Sequence, residues 1–153
     1  MINYVDATDE IYDLFLKGFE KPAENLLGYV PEIYWRNKER ADKPASDKFW
    51  CRVTVYTELE EQANISVANA GAYAKRWTTS GIVMIQLFCP RAVKNSDKLG
   101  QQLSNIIKLC YRGKTTDGGI WFRNARINDG LEPEELFYRF NIVADFEYDE
   151  LTT

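Results

Sequence analysis

Three carboxylates near the end of the chain, Asp145, Glu147 and Asp149, have a spacing that could support chemistry. In an extended segment, alternate residues share a face. All three would then project to one side, and oxygen donors arranged this way suit Mg2+. The same spacing also serves a solubilising acidic edge that keeps a terminal strand from mispairing. No flanking lysine and no second carboxylate cluster accompany the run, so the acidic edge is favoured over a Mg2+-dependent enzyme. Histidine is absent from the chain. Ser-His-Asp and Cys-His catalysis are therefore excluded within one chain, as is a histidine pH switch. A lysine or paired-carboxylate mechanism stays formally open. Cys51, Cys89 and Cys110 are widely spaced and form no CxxC pair. A Cys/His zinc site is not expected, and each cysteine reads as a buried free thiol in an apolar stretch.

Two further clusters combine cations with other groups. Lys75-Arg76-Trp77 sets two cations beside an aromatic ring, suited to phosphate or a protein carboxylate. A solvated strand start is the plainer alternative. Arg123 and Arg126 are three residues apart in an extended segment, so they are expected on opposite sides of their strand. No catalytic constellation emerges, and neither a cofactor nor a resident metal is expected.

The chain's 19 basic and 23 acidic residues give a net charge of −4, against the basic excess of a general nucleic-acid binder. The distribution is uneven. Residues 91–114 hold Arg91, Lys94, Lys98, Lys108, Arg112 and Lys114 against Asp97 alone. Residues 132–150 hold Glu132, Glu134, Glu135, Asp145, Glu147, Asp149 and Glu150 against Arg139 alone. These are either two solvated faces or a subunit whose basic surface meets a neighbour's acidic one. No apolar run is long enough to span a bilayer. No basic segment followed by an apolar stretch opens the chain, so residence in the cytoplasm is expected.

The elements that must position these groups follow from periodicity. A first helix is capped by Asp6 or Thr8, buries Ala7, Ile11, Leu14, Phe15, Gly18 and Phe19, and exits at Pro22. Residues 30–36 form a short extended piece that Pro31 confines to an edge or a strand start. Residues 37–48 read as a loop. Phe49–Tyr56 is a strand with Phe49, Cys51, Val53 and Val55 on one face and Trp50, Arg52, Thr54 and Tyr56 on the other. Residues 57–78 have weak periodicity and read as a protruding hairpin arm. The apolar run from Thr78 to Cys89 is a central strand. A second helix runs from about Asp97 to Arg112, capped by Ser96 or Asp97 and stopped by Gly113, with Leu99, Leu103, Ile106, Ile107 and Cys110 on its stripe. Residues 119–127 form a strand, then an Asp129-Gly130 turn. In the last run Leu136, Tyr138, Phe140, Ile142, Ala144, Phe146 and Tyr148 alternate with polar positions, which is a strand with one buried face.

The expected fold is one α+β domain over residues 1–153. It has a mainly antiparallel sheet of four to five strands, two helices packed on one face, and a long inter-strand arm. Trp50, Arg52, Tyr56, Arg123, Arg139 and Asn141 would decorate the uncovered face, as aromatics and arginines often do at partner surfaces. A nucleic-acid module on the Trp50, Arg52 and Arg139 face is a weaker alternative, opposed by the acidic total.

Four segments carry a resemblance. They are Trp77-Thr-Thr-Ser-Gly-Ile-Val-Met-Ile-Gln-Leu-Phe-Cys-Pro-Arg91, Ser96-Asp-Lys-Leu-Gly-Gln-Gln-Leu103, Ile120-Trp-Phe-Arg-Asn-Ala-Arg126 and Phe137-Tyr-Arg-Phe-Asn-Ile-Val143. Over about residues 50–150 the chain resembles the tail terminator proteins of long, non-contractile-tailed bacteriophages. The resemblance implies a homo-oligomeric ring, commonly of six subunits, on the last ring of tail tube protein. Such a ring ends tube growth, joins the head–tail connector or neck proteins, and passes DNA without specific binding. It implies a place in the virion, at the head-proximal end of the tail, with assembly in the host cytoplasm and no membrane partner. A head–tail connector or head-closure protein is the alternative within the same class. For a ring, the expected interface residues are Arg52, Lys75, Arg76, Trp77, Arg123, Arg126, Asp145, Glu147 and Asp149. Arg76, Arg123 or Arg126 is expected to bridge to the acidic last strand of the adjacent subunit.

Overall fold

The first helix begins where a side chain satisfies an orphan backbone donor. In the computed structural model, which describes residues 2–36, 44–69, 72–133 and 136–152, helix α1 spans Tyr4–Leu27. The Asn3 side-chain oxygen accepts from the Asp6 backbone N–H at 2.8 Å and caps it. The cap therefore falls ahead of both Asp6 and Thr8, and Thr8 instead donates its hydroxyl to the Tyr4 carbonyl. Ala7, Ile11, Phe15, Phe19 and Ala23 are buried along one stripe. Pro22 does not end the helix. It lies inside, and Gly28 (φ 84) ends it in a left-handed cap. Burial of Phe19 and Ala23 on either side of the proline offsets the hydrogen bond that its ring removes.

Helix α2 spans Ser96–Tyr111 and follows Asn95, which is left-handed (φ 63) and makes no side-chain cap. It starts one residue before Asp97 and buries Leu103, Ile107, Cys110 and Tyr111. The two helices touch where side chains are small, since a Cβ on Gly18 would lie 2.7 Å from Cys110 Sγ. The buried Tyr111 hydroxyl donates to the Ile11 carbonyl at 3.1 Å and ties the helices into one layer.

Strands β1 (Glu32–Trp35), β2 (Trp50–Asn69), β3 (Ala72–Pro90), β4 (Trp121–Asn128) and β5 (Phe137–Thr152) form one sheet in the order β1-β2-β3-β5-β4. β1 runs parallel to β2, and the other three pairs are antiparallel. The fold is α+β, with a mainly antiparallel five-stranded sheet and both helices on one face. Pro31 precedes an edge strand, as its missing donor requires. Phe49, Cys51, Val53 and Val55 meet Val83, Ile85, Leu87, Phe140, Ile142, Ala144 and Phe146 beneath the helices. Leu136 and Tyr138, expected on that buried face, are exposed. Leu136 precedes the strand, and Tyr138 lies under the Arg91 guanidinium, 5.5 Å from the ring centre.

The arm expected at 57–78 consists of the continuation of β2 and β3, paired from Trp50↔Phe88 to Asn69↔Ala72. Register shifts interrupt it at Thr57/Leu59, Gln62/Asn64 and Val67/Asn69. Each places an extra residue on β2 and breaks period two, which accounts for the weak periodicity. β1 leaves β2 at Val53, and β5 accompanies β3 only as far as Lys75↔Thr152. Residues 37–43 of the expected loop, 70 and 71 of the arm, and Glu134 and Glu135 of the acidic run lie outside the described residues.

Candidate assembly surface

The sheet face away from the helices carries most of the residues singled out above. Its character changes along its length. At one end, Trp50 of β2 stacks on Phe88 of β3 with ring centres 3.9 Å apart, and Phe137 of β5 stands edge-on to both. Tyr34 of β1 closes the group edge-on to Trp50. These side chains bury one another, and Trp50 is only 4% exposed. Trp50 is thus part of a small second core and does not project toward a partner. The Arg52 guanidinium lies 5.6 Å from the centres of both the Trp50 and Phe88 rings and donates to Gln86 Oε1 at 3.3 Å. Arg52 covers the cluster from above.

At the other end, cations and carboxylates form a ladder across three strands. Arg126 of β4 bridges to Asp145 at 3.3 Å, and Arg123 bridges to Glu147 at 3.1 Å. Arg76 of β3 approaches Asp149 at 3.9 Å. Asn124 donates to Asp145, and Thr78 donates to Asp149 at 2.7 Å. The arginines expected to reach a neighbour's acidic strand therefore meet the acidic strand of their own chain. The reason is topological: β5 lies between β3 and β4 as far as Glu147, so Asp145 and Glu147 meet arginines of β4 and Asp149 meets Arg76 of β3. Beyond Glu147, where β4 ends, β5 is an edge, and Asp149 lies there. Helix α2 packs on one face of the sheet, and Asp145, Glu147 and Asp149 of β5 project from the other. Exposed pairs of this kind contribute about 0–1 kcal/mol each, so the ladder neutralises a surface more than it holds the fold.

Arg123 and Arg126 share this face, contrary to the alternation expected for their strand. The pairing jumps from Arg123↔Asp145 to Arg126↔Val143, and Asn124 is left-handed (φ 55). One bulged residue resets the parity. Arg123 also lies over the exposed Trp121 ring at 4.6 Å. The Lys75-Arg76-Trp77 group is divided between faces. Register places Arg76 with the ladder and Lys75 and Trp77 on the helix side of the sheet. Among the described residues, no group of three or more acids, cysteines or histidines comes close enough to hold a metal. For Asp145, Glu147 and Asp149 the spacing accounts for this, since alternate residues of a strand lie roughly 6–7 Å apart.

Two features lay outside the sequence-based expectations. The first is a cleft of about 370 Å³ between the helices, lined by Leu14, Lys17, Gly18, Pro22, Ile106, Leu109, Cys110 and Lys114. Its signal in the sequence was the Gly18 and Pro22 pair at the end of an apolar stripe. The second lies within the expected arm, where Leu59 of the stem Glu58-Leu59-Glu60-Glu61, a residue that periodicity did not single out, is 49% exposed. Among the described residues, no helix is long and apolar enough to cross a membrane.

The fold, though not the surface, has likenesses among solved structures. No protein-family model matches the chain, and no curated protein matches it. In fold, 21 solved chains match. One of them, whose name carries no functional description, aligns over 95% of this chain and 96% of its own length. Its TM-score is 0.51 at 14% identity, which is a likeness of fold alone.

Proposed function

We propose that the chain is a structural virion protein that caps a phage tail tube as a ring, ends tube growth and presents the joining surface for the head and neck. The observation that carries this reading is the β2–β3 arm. It extends the sheet past the strands on either side and lends each subunit reach toward a neighbour or the tube. The four resembling segments support it, since they map to β3, α2, β4 and β5, the frame on which the arm is mounted. A ring requires unlike surfaces that meet head to tail. The helix layer and the helix-free sheet face are two such surfaces. A hexamer is the ring size that the resemblance favours. The net charge of −4 suits a channel that passes DNA without gripping it.

The alternative within this class is a head–tail connector or head-closure protein. A Mg2+-dependent enzyme on Asp145, Glu147 and Asp149 is the less favoured reading, since each carboxylate pairs with Arg76, Arg123 or Arg126. Purified chain added to polymerising tail tube protein is expected to shorten the tubes in proportion to its concentration and to sit at one tip in micrographs. Tube lengths that do not change at any ratio would count against the capping role.

A further inference from the structure

The arm stem and the interhelical cleft have complementary chemistry. The cleft is mainly apolar, through Leu14, Pro22, Ile106 and the half-exposed Leu109. Among the described residues, Lys17 and Lys114 are its charged lining residues and no carboxylate lines it, while Glu10, Asp13 and Asp117 line the adjoining groove that Lys17 also borders. Gly18 and Cys110 also line it, and a Cβ on Gly18 would crowd Cys110 Sγ. On the arm, the register shift at Thr57/Leu59 places Leu59 opposite Ser80 on the sheet face away from the helices. Glu58 and Glu61 flank Leu59 and are exposed, whereas Glu60 lies on the helix side of the sheet opposite Thr79, whose hydroxyl donates to Glu60 Oε1 at 3.5 Å. The three ion pairs among the described residues use neither the two cleft lysines nor these glutamates.

We propose that the cleft between α1 and α2 receives the arm stem of a second copy of this chain, with Leu59 entering between Leu14, Ile106 and Leu109 and Glu58 and Glu61 meeting Lys17 and Lys114. An apolar side chain in an apolar slot, rimmed by opposite charges, combines burial energy with orientation. The two patches differ and lie on separate parts of the subunit. The contact is therefore heterologous, so successive copies add with a rotation that closes a ring or continues as a filament. This inference rests on the ring reading and names the surfaces through which its subunits meet.

Photo-crosslinking tests it. With p-benzoylphenylalanine at Leu59 in the purified chain, intermolecular products are expected in which residue 59 is joined to peptides from residues 14–22 or 106–114. Lys17→Glu with Lys114→Glu should weaken self-association by about tenfold, the scale of coupling between contacting charges. Adding Glu58→Lys and Glu61→Lys should restore most of it. All four positions are exposed, and circular dichroism confirms that the variants fold. An oligomer whose crosslinks from position 59 map elsewhere would overturn the contact and leave the ring reading standing. Crosslinks to tail tube protein in assembled tails, in place of a second copy, would also overturn it. So would a wild-type chain that stays monomeric to about 1 mM, the concentration of a minimal specific contact.

Discussion

Replacing Gly81 with alanine is expected to cost the fold about 3 kcal/mol or more, beyond the ordinary range for overpacking. Gly81 pairs with Thr57 at the first register shift of the arm. A Cβ there would overlap the Tyr56 carbonyl oxygen and lie 2.8 Å from Phe146 Cζ. The first contact is with backbone, so no rotamer change relieves it. β2 and β3 must separate where the arm leaves the core, and the arm loses its mounting. Gly100→Ala is the informative comparison, because its Cβ would meet the Cys89 and Phe140 side chains at 2.7 and 2.8 Å, and side chains can shift. Urea denaturation should therefore show the larger loss for Gly81→Ala. A loss below about 1 kcal/mol would contradict the account of this site.

Alkaline conditions should destabilise the chain more steeply than its surface charges suggest. Burial pushes the thiols of Cys89 and Cys110 up to about 12 from an ordinary value near 9.0, and pushes Cys51 up as well. The largest cause is desolvation of the thiolate in the core, to which Asp97 adds at Cys89 and which Lys114 opposes at Cys110. The protonated thiols are retained by the folded chain and lost by the unfolded one between these values. Their contribution is fully present below pH 9 and falls as pH rises toward 12. Each group costs about 1.4 kcal/mol per pH unit in that window. Three thiols together should remove roughly 4–6 kcal/mol between pH 9 and 10.5. The buried Tyr111 hydroxyl, also raised by desolvation, acts in the same direction above pH 10. Urea midpoints at pH 7.5, 9 and 10.5 measure the effect, and Cys→Ala variants should flatten it. A stability unchanged across that range would refute it.

Much of this architecture can be read from local periodicity. The stripe Ala7, Ile11, Phe15 and Phe19 announces α1, and the alternation from Phe140 to Tyr148 announces β5, because a buried face imposes its period on nearby residues. What escapes is set by contacts between distant residues. Asn124 looks like any strand-flanking polar residue, yet its left-handed conformation moves Arg126 to the face of Arg123. Alternation places Trp50 correctly on the helix-free face, but only Phe88 and Phe137, far along the chain, turn it into a core residue. Pro22 stops a helix on propensity alone, and packing on both sides of it carries α1 through. The order of strands decides the remaining case. With β5 between β3 and β4 as far as Glu147, Asp145 and Glu147 meet arginines of β4, and Asp149 meets Arg76 of β3.

The capping role is tested most directly by micrographs of particles assembled without this protein. The account predicts overlong tails that carry no heads, because nothing then ends the tube or offers the head a place to join. Tails of normal length that fail to attach to heads would contradict it and assign the chain to the neck as a connector.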